Sequence, residues 1–497
     1  MPDYISSRNK QECVSASEAV IKGLAPDGGL YTPASIDAHI APSQILGLSY
    51  QETSLCILKA MLTDYDDDEL RACVYGAYDQ KFNAKEIVPL QKYSQGYLME
   101  LWHGPTSAFK DIALTILPRL LTCAYKKKNR SDIISILTAT SGDTGKAALS
   151  GFADVPDTAI TVFYPEIGVS AIQKRQMNTS EGNNVDVIAV RGNFDDCQRM
   201  VKEATSSKEV LEALDNVTIS SANSINVGRL VPQVVYYYSS YAKLIEQGAI
   251  KCGDPVNFCV PTGNFGDILA GYLAMSLGLP INKLICASNA NNVLTDFLNS
   301  GTYSLKRDFL TTMSPSMDIL ISSNLERLLF MVSDYDDKLV ASLMAQLKEK
   351  KEYTVTEEMK KRIDAHFKGY WASEEDCANT IHSLWHKEGI LIDPHTAVGA
   401  ACLAKYELDT GDKTPCIVLS TASPYKFAHD VLKSIGSKDV EDDFDAMEEL
   451  SRITSTPIPE NLASLKAKPV RFTRVIDIKD GMHVIAARMK EIGNARS

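Results

Sequence analysis

The sequence predicts an α/β protein whose doubly wound, mostly parallel sheets are divided between two subdomains. Short, continuous apolar runs recur along the middle of the chain, with helical runs between several of them, as is typical of strands buried on both faces. Two of these runs lead directly into a glycine-containing turn and then into a helical run. An N-terminal helical unit and a charged helical insertion complete the predicted architecture.

Composition and charge exclude several classes of protein. The 497 residues exceed one typical domain, and a hydrophobic content of 45% with 23% charged residues is ordinary for a globular enzyme. A net charge of −12 argues against non-specific binding of nucleic acid or anionic membranes. No apolar run approaches the ~20 residues that span a bilayer. The absence of a secretory signal and the scattered positions of the 11 cysteines predict reduced thiols and a cytoplasmic location.

The elements follow one another in a regular order. Residues 1–95 are predicted to form the N-terminal helical unit, because the apolar side chains from Leu55 to Leu62 have helical spacing. Helices are also predicted at Phe194–Thr205 and Leu230–Leu244. Buried strands are predicted at Ile133–Leu137, Ala159–Phe163, Val185–Val190, Val217–Ser220, Val256–Val260, Lys283–Ala287 and Cys416–Ser420.

This order predicts how the chain divides into domains. Residues 136–249 are predicted to form a smaller subdomain, inserted into a larger, discontinuous domain of residues 96–135 and 250–440. Residues 334–371 are rich in charge and predict a solvated helical insertion, with a partner-binding surface as the alternative. Residues 441–497 are predicted to form a C-terminal extension.

The strand Val256–Val260 leads into a Gly263-x-x-Gly266 turn and an amphipathic helix. Converging amide groups and the positive end of the helix dipole at such a turn suit a phosphate. A plain connection between strand and helix is the alternative, and the local pattern leaves the two level. Asp267 is expected to hold the turn, because its negative charge stabilises a helix N-terminus.

A second strand, Ile133–Leu137, runs into the hydroxyl-rich turn Thr140–Thr144. A P-loop is excluded, because only two residues separate Gly142 from Gly145 where four are needed. The remaining readings are a carboxylate-binding turn and an ordinary helix cap, and both stay open.

Lys110 follows a Gly-Pro turn and precedes an apolar helical run. A lysine at a helix start, beside apolar side chains, should have a lowered pKa, and a neutral amine can form a Schiff base with an aldehyde. A surface lysine is the alternative, and spacing alone does not decide between them. His382 and His386 lie four residues apart, but no third ligand is evident, so no metal site is predicted.

Four motifs resemble, in the same order, those of threonine synthases: Gly104–Asp111, Ala139–Lys146, Ser221–Arg229 and Gly263–Asp267. Supporting stretches lie at Gly23–Tyr31, Ser314–Ile319 and Asp393–Gly399, so the resemblance runs from about residue 4 to about residue 430. It implies a fold type II, pyridoxal 5′-phosphate-dependent enzyme with the tryptophan-synthase-β-like fold. Such an enzyme would convert O-phospho-L-homoserine and water to L-threonine and phosphate, the last step of threonine biosynthesis.

The resemblance also implies roles by motif position. Lys110 would form the Schiff base with the cofactor in the larger domain, Asp267 would order the phosphate turn and Thr421 would meet the pyridine nitrogen. The cofactor phosphate would be held by Gly263, Asn264, Phe265 and Gly266. The substrate would be held in the smaller subdomain, its carboxylate by Ser141, Gly142, Asp143 and Thr144 and its phosphate by Asn223, Ser224 and Arg229, with Lys426 as a further candidate. The family's long form is often monomeric, so a monomer with no nucleic-acid or membrane partner is expected.

The chain departs from the family pattern near Lys426. Ser423 and Tyr425 stand where relatives often have histidine and alanine, which leaves the local shape and the role of Lys426 open. Two other functions therefore remain alternatives. One is a phospholyase of the same scaffold that forms 2-oxobutyrate, ammonia and phosphate from the same substrate. The other is a catalytically silent binding protein.

Overall fold

The computed structural model describes residues 4–79, 81–82, 84, 86–140, 142–438 and 440–494, without the side chain of Asp195. Within these residues, two mostly parallel sheets with helices packed around them confirm the α/β class. None of the described helices combines the length and the apolar character needed to cross a membrane.

A small antiparallel sheet and several helices begin the chain. The elements are β1 (Tyr4–Ser6), β2 (Asn9–Val14), α1 (Ala16–Lys22), β3 (Tyr31–Pro33), α2 (Tyr50–Met61), α3 (Asp67–Ala77), β4 (Leu90–Tyr93) and β5 (Gly96–Glu100). The first three strands pair in the order β2-β1-β3. The N-terminal unit is therefore not only helical, as the sequence suggested. Its strands escaped prediction because β1 and β3 span three residues each, and β2 is largely exposed.

A smaller parallel sheet follows in the middle of the chain. The elements are α4 (Lys110–Leu114), α5 (Leu117–Lys127), β6 (Ile133–Ala139), α6 (Asp143–Phe152), β7 (Thr158–Pro165), α7 (Ala171–Asn178), β8 (Val185–Arg191), α8 (Phe194–Ala204), α9 (Lys208–Leu211), β9 (Val217–Ser220) and α10 (Val227–Glu246). The strands lie in the order β8-β7-β6-β9 and all pair in parallel. Their side chains are mostly buried on both faces, which explains the continuous apolar runs.

The remaining elements complete the larger sheet and the C-terminal part. They are β10 (Val256–Pro261), α11 (Gly266–Ser276), β11 (Ile281–Ser288), α12 (Val293–Ser300), β12 (Thr302–Ser304), α13 (Leu325–Val332), α14 (Asp337–Lys350), β13 (Glu352–Thr354), α15 (Glu357–His366), β14 (Phe367–Trp371), α16 (Glu374–Glu388), α17 (Pro394–Thr410), β15 (Cys416–Ser420), α18 (Ala428–Ser434), α19 (Asp443–Thr454), α20 (Glu460–Ala463), β16 (Val475–Asp477) and α21 (Gly481–Asn494). The larger sheet has the order β14-β11-β10-β15-β5-β4, and within it only β4 runs antiparallel.

The seven strands predicted from apolar runs are all present, as β6 to β11 and β15. Two predicted segments contain more than expected. The charged insertion at residues 334–371 is helical in α14 and α15, but it also contains β13 and ends in β14, the edge strand of the larger sheet. The C-terminal extension contains β16, which pairs with β8 at the edge of the smaller sheet. The limits of the domains themselves stay predictions.

The carboxyl ends of β6 and β10 lead into the two glycine turns, each of which opens a helix. The long helix α10 packs against α11 through buried tyrosines. Two of these, Tyr236 and Tyr237, reach the first turn of α11. In open parallel sheets, ligands bind beyond the carboxyl ends of the strands. The fold therefore makes these two turns the expected ligand-binding positions.

Candidate functional site

Lys110 is the first residue of α4, and its side chain is only 12% exposed. The loop before it is tied to the segment that follows β15, since the Phe109 N–H donates to the Thr421 carbonyl at 2.8 Å. Ser107 adopts a left-handed conformation with φ of 59°, and the Asn461 side chain bonds its hydroxyl at 3.0 Å. Segments far apart in sequence thus fix the position of the lysine.

Asp111 braces the same loop from inside. Its carboxylate accepts the Thr106 N–H at 2.8 Å and the Thr106 hydroxyl at 2.6 Å. Gly104 packs so closely that a Cβ there would lie 2.5 Å from the Asp111 Cβ. Burial raises the pKa of Asp111 to about 6, although these hydrogen bonds oppose the shift. The Gly-Pro turn therefore has little freedom to change shape.

The pKa of Lys110 is lowered to about 8. Burial is the largest cause, and the positive charges of Arg229 and Lys426 add to it, while Asp143 and Asp267 oppose it. The sequence predicted a lowered pKa from the helix start and the apolar neighbours. The structure shows that loss of water is the dominant effect. Near neutral pH, an appreciable fraction of the amine is therefore neutral and nucleophilic.

Asp143 joins the lysines at the start of α6. Its buried carboxylate accepts from Lys426 Nζ at 2.5 Å and from Gln173 Nε2 at 2.8 Å, and Lys110 Nζ lies 3.9 Å away. Burial alone would raise the pKa of Asp143, but Lys426 and Lys110 hold it well below its usual range. Because an ionised carboxylate only accepts hydrogen bonds, Asp143 can offer an anionic ligand only its backbone N–H.

We expect Lys426→Met to lower the free energy of unfolding by about 3 kcal/mol, because it leaves a buried carboxylate without its closest cation. Chemical denaturation measures the change. Lys146→Met is the control, since Lys146 is a partly buried lysine that donates to the neutral Ser180 hydroxyl at 3.1 Å, whereas Lys426 is fully buried against a carboxylate. Its loss should cost only about 1 kcal/mol. Adding Asp143→Asn to Lys426→Met should recover much of the loss, and equal effects of the two methionine variants would contradict the pairing.

The turn before α6 leaves backbone N–H groups at the start of the helix free to bind a ligand. The Thr140 hydroxyl accepts the N–H groups of Gly142 and Gly145, both at 2.9 Å. Gly142 has φ of 145°, and a Cβ there would lie 2.4 Å from the Gln173 side chain, so only glycine fits. The N-cap residue, Gly142, has no side chain to cap the helix, and Thr140 accepts only from Gly142 and Gly145. The N–H groups of Asp143 and Thr144 therefore have no acceptor among the described residues and are available to a ligand. Ser141, predicted to help, lies outside the described residues.

The turn between β10 and α11 also leads into a helix that no described side chain caps. Phe265 is left-handed with φ of 61°, and no described side chain caps the helix. Gly263 lies against Ser316, whose carbonyl oxygen would be 2.9 Å from an added Cβ. Ser322 Oγ donates to the Gly263 carbonyl at 2.7 Å. The free N–H groups and the helix dipole therefore fit a phosphate, as the sequence suggested.

Asp267, in the first turn of α11, is buried and accepts from the hydroxyls of Tyr236 and Tyr237. The Tyr237 hydroxyl also bonds the Asp267 carbonyl at 2.9 Å. Burial raises the pKa of Asp267 to about 7 against these bonds. Its second carboxylate oxygen has no hydrogen-bond partner among the described residues. These contacts support the predicted role of Asp267 in holding the turn.

Arg229 is a buried cation that has no carboxylate partner among the residues that the structure describes. It is 2% exposed, and the only described hydrogen bond of its guanidinium is from Nη1 to the Ala222 carbonyl at 2.8 Å. Its Nε and the side-chain oxygen of nearby Asn223 have no partner among the described residues. Burial lowers the pKa of Arg229 to about 10, so it remains charged at neutral pH. Such an uncompensated cation fits a site for an anionic ligand.

The two departures from the family pattern near Lys426, Ser423 and Tyr425, each make hydrogen bonds that hold this loop. Ser423 caps the 3₁₀ turn that follows it by accepting the Tyr425 N–H at 3.4 Å. The Tyr425 hydroxyl bonds the Thr456 carbonyl at 2.7 Å, which fastens the loop to the C-terminal part. Lys426 also donates to the Thr106 carbonyl at 3.2 Å. Thr421, buried beside this loop, holds the lysine loop through its own carbonyl.

Residues to which the sequence analysis gave no role also reach the site. His395 Nε2 accepts the Ser316 N–H at 3.1 Å, while Nδ1 faces Asp393 at 2.6 Å. Ser316 Oγ in turn lies 3.4 Å from Asp143 Oδ2. The only sequence signal was the Asp-Pro-His run, which matched a motif without an assigned chemistry. The other histidine pair, His382 and His386, bonds backbone carbonyl oxygens at the end of α18.

Three family models match the chain. A model described as "Pyridoxal-phosphate dependent enzyme" matches residues 86–421. The "Threonine synthase N terminus" model matches residues 3–78, and the "Threonine synthase, C-terminal" model matches residues 396–485. Together they span most of the chain, including both glycine turns and Lys110.

Curated relatives carry the same names. The chain is 38% identical over 462 residues to human "Threonine synthase-like 1", covering 88% of this chain but 61% of that protein. It thus spans about three fifths of the length of the threonine synthase-like 1 proteins that it matches. It is 38% identical over 474 residues to threonine synthase of Eremothecium gossypii, covering 88% of this chain and 90% of that protein. It is 37% identical over 441 residues to threonine synthase of Pseudomonas aeruginosa, covering 87% of this chain and 90% of that protein.

Solved structures agree with these relatives. Pyridoxal phosphate-bound threonine synthase from Brucella melitensis is similar with a TM-score of 0.87 and 35% identity, over 99% of this chain and 100% of that one. Threonine synthase from yeast is similar with a TM-score of 0.87 and 32% identity, over 100% and 99% of the two chains.

Proposed function

Because this chain belongs to the threonine synthase family of pyridoxal-phosphate-dependent enzymes, we propose that it converts O-phospho-L-homoserine and water to L-threonine and phosphate. This reaction is the last step of threonine biosynthesis. One observation carries the proposal: a buried lysine with a lowered pKa lies among two uncapped glycine turns and an unpaired buried arginine. The proposed reaction needs one amine that bonds the cofactor. It also needs separate sites for the cofactor phosphate, the substrate carboxylate and the substrate phosphate.

The residues around Lys110 fit pyridoxal 5′-phosphate. The N–H groups of the turn Gly263–Gly266, which includes Asn264, would hold its phosphate, and Asp267 would hold the turn. Thr421 would meet the pyridine nitrogen with a neutral hydroxyl. When bound, the cofactor supplies an aldehyde that bonds to an amine and a conjugated ring that accepts electron density from the substrate's α carbon.

The substrate's two acidic ends would lie on different elements. The N–H groups of Asp143 and Thr144 at the start of α6 would hold its carboxylate, and Gly142, whose own N–H is bonded to Thr140, would shape the turn. Arg229, with Asn223 and Ser224, would hold its phosphate, and the charge on the guanidinium would favour departure of phosphate from the γ carbon. Lys426 would act on the substrate through Asp143, whose carboxylate it holds.

Lys110 would then move the protons. Once the substrate's amine has replaced it on the cofactor, its Nζ would take the proton from the α carbon and then one from the β carbon. After phosphate leaves the γ carbon, the protonated amine would return a proton to that carbon, which becomes the methyl group. Water would then add its oxygen to the β carbon, and a second proton returned to the α carbon would give threonine. Asp143, 3.9 Å from Lys110 Nζ, would stabilise the protonated amine between these steps.

The rate at which the ligand-free protein takes up pyridoxal phosphate covalently should rise about tenfold per pH unit below pH 8 and level off above it. Only the neutral amine of Lys110 attacks the aldehyde, and its pKa is about 8. Absorbance after rapid mixing measures the rate. The control is Nα-acetyl-lysine under the same conditions, whose rate should keep rising to about pH 10.4. A rate for the protein that follows the free amine would contradict the lowered pKa.

Product analysis tests the proposed function. Purified, cofactor-loaded protein is incubated with O-phospho-L-homoserine, and threonine, 2-oxobutyrate and phosphate are measured. We expect threonine and phosphate in equal amounts. A keto acid as the main product would identify a phospholyase, and no turnover would identify a silent binding protein. Either result overturns the proposal.

The cell location and assembly of the protein stay predictions. We propose that it acts in the cytoplasm, as a monomer, with the small-molecule substrate as its partner. Light scattering after size-exclusion chromatography tests the assembly, and a dimer mass would contradict it.

A further inference from the structure

Asn324 precedes α13 and has no exposed surface. Its side-chain Nδ2 donates to two carbonyls that belong to different loops, Ser224 at 3.2 Å and Asn264 at 3.0 Å. Its backbone N–H also donates to the Asn264 carbonyl at 3.0 Å. One asparagine therefore joins the turn proposed to hold the cofactor phosphate to the loop proposed to hold the substrate phosphate.

Arg327 fixes the orientation of this amide. Its Nη1 donates to Asn324 Oδ1, so the donor side of the amide must face the two loops. Its Nε donates to the Tyr31 carbonyl at 2.9 Å and its Nη2 to the Ile225 carbonyl at 2.5 Å. The guanidinium is fully buried and bonds carbonyl and amide oxygens. It spans the N-terminal sheet, the Ser221–Asn226 loop and Asn324.

The carbonyls held by Asn324 belong to peptide groups whose N–H groups come from Phe265 and Ile225. In a trans peptide the C=O and N–H point in opposite directions, so both N–H groups point away from Asn324. Neither N–H has a hydrogen-bond acceptor in the described part of the chain. Gly266 packs between the loops, with an added Cβ only 3.3 Å from Asn324 Nδ2. The contacts therefore hold two free donors at a fixed separation.

We propose that Asn324, locked by Arg327, is a positioning residue that aims the Phe265 and Ile225 N–H groups at two separate phosphates and sets the distance between them. The inference rests on the proposed function, because it assumes one phosphate on the cofactor and one on the substrate. It assigns Ile225 as a backbone donor to the substrate phosphate. Asn324 itself touches neither ligand.

The variant Asn324→Asp tests the proposal. Aspartate keeps the acceptor for Arg327 but offers no donor, and it places a carboxylate against both carbonyls. We expect the dissociation constant for pyridoxal phosphate and the inhibition constant of inorganic phosphate each to rise roughly tenfold or more. At saturating cofactor, KM for O-phospho-L-homoserine should remain raised, with a smaller change in kcat. A purely structural asparagine would lower the melting temperature without raising both constants.

The matched control is Asn257→Asp, at the opposite end of β10. Asn257 is also buried and donates through Nδ2, to Asp412 at 2.8 Å. Its variant should lose thermal stability but keep both constants within about twofold. If Asn324→Asp does not fold, Asn324→Ser is used instead. Its shorter side chain loses the hydrogen bonds to both carbonyls without adding a charge, and its two constants are compared with those of Asn257→Asp.

The outcomes separate this inference from the proposed function. Native protein that neither binds pyridoxal phosphate nor turns over the substrate would overturn both. Native activity together with unchanged constants in Asn324→Asp would overturn only the positioning role. A rise in one constant without the other would also overturn it, because the amide is proposed to serve both loops.

Discussion

Lys110→Ala should lower kcat/KM for O-phospho-L-homoserine by roughly 10⁴-fold or more. Lys110 is proposed to supply both the covalent link to the cofactor and the base for two proton transfers, and each role alone is worth orders of magnitude. The phosphate turn at Gly263–Gly266 is untouched, so the variant should still bind pyridoxal phosphate without a covalent bond. Steady-state kinetics and the visible absorbance of the loaded protein measure the two effects.

Lys146→Ala is the matched control for this variant. Burial also lowers the pKa of Lys146 to about 8, but its amine is bonded to the hydroxyl of Ser180, which follows α7. A low pKa alone therefore does not distinguish the two lysines, whereas position does. We expect Lys146→Ala to keep activity within about tenfold. Substantial turnover by Lys110→Ala, or an equal loss in both variants, would contradict the role of Lys110.

Arg229→Gln should lower kcat/KM by about 10²- to 10³-fold, through a higher KM and, because the guanidinium is also proposed to favour departure of phosphate, a lower kcat. The variant removes the charge-assisted hydrogen bonds proposed to hold the substrate phosphate, which are worth about 1.5–3 kcal/mol each. The same change should raise the melting temperature of the ligand-free protein, because it removes a buried cation for which the described part of the chain holds no carboxylate partner. Opposite effects on activity and stability would identify Arg229 as a binding group.

Thermal melting with and without inorganic phosphate separates these effects. The native protein should be stabilised by phosphate, and Arg229→Gln should not. Arg327→Gln is the contrasting control, because the Arg327 guanidinium bonds three oxygen atoms and its loss should lower the melting temperature. Equal stabilisation of the native protein and Arg229→Gln by phosphate would show that the anion binds elsewhere.

The parts of the fold that sequence revealed are those with a local pattern. Strands such as β7 are buried on both faces, so their apolar runs are continuous and their bounds were found within one or two residues. The short β1 and β3 lack such a pattern, and β14 lies within a charged segment. The assignment of β16 to the smaller sheet depends on a pairing with β8 nearly 300 residues away, for which the sequence has no local signal.

The candidate site also contains residues that local motifs located and contacts that no local pattern predicted. Motif position located Lys110 and the two glycine turns, because glycine and lysine are required there by conformation and chemistry. The contacts of Asp143 with Lys426, and of Asn324 with the two loops that are proposed to bind phosphate, join residues that are far apart in the chain. Such contacts follow from the packing of the whole chain. The lowered pKa of Lys110 was expected from the helix start and from its apolar neighbours, and burial is its largest cause.

Borohydride reduction of the cofactor-loaded protein, followed by peptide mass analysis, tests most directly whether one buried lysine binds the cofactor between two anion sites. Reduction should leave a single pyridoxyl group on the peptide that contains Lys110. A protein that takes up no pyridoxal phosphate, or a reduced adduct on Lys146, Lys426 or another lysine, would contradict the proposed site.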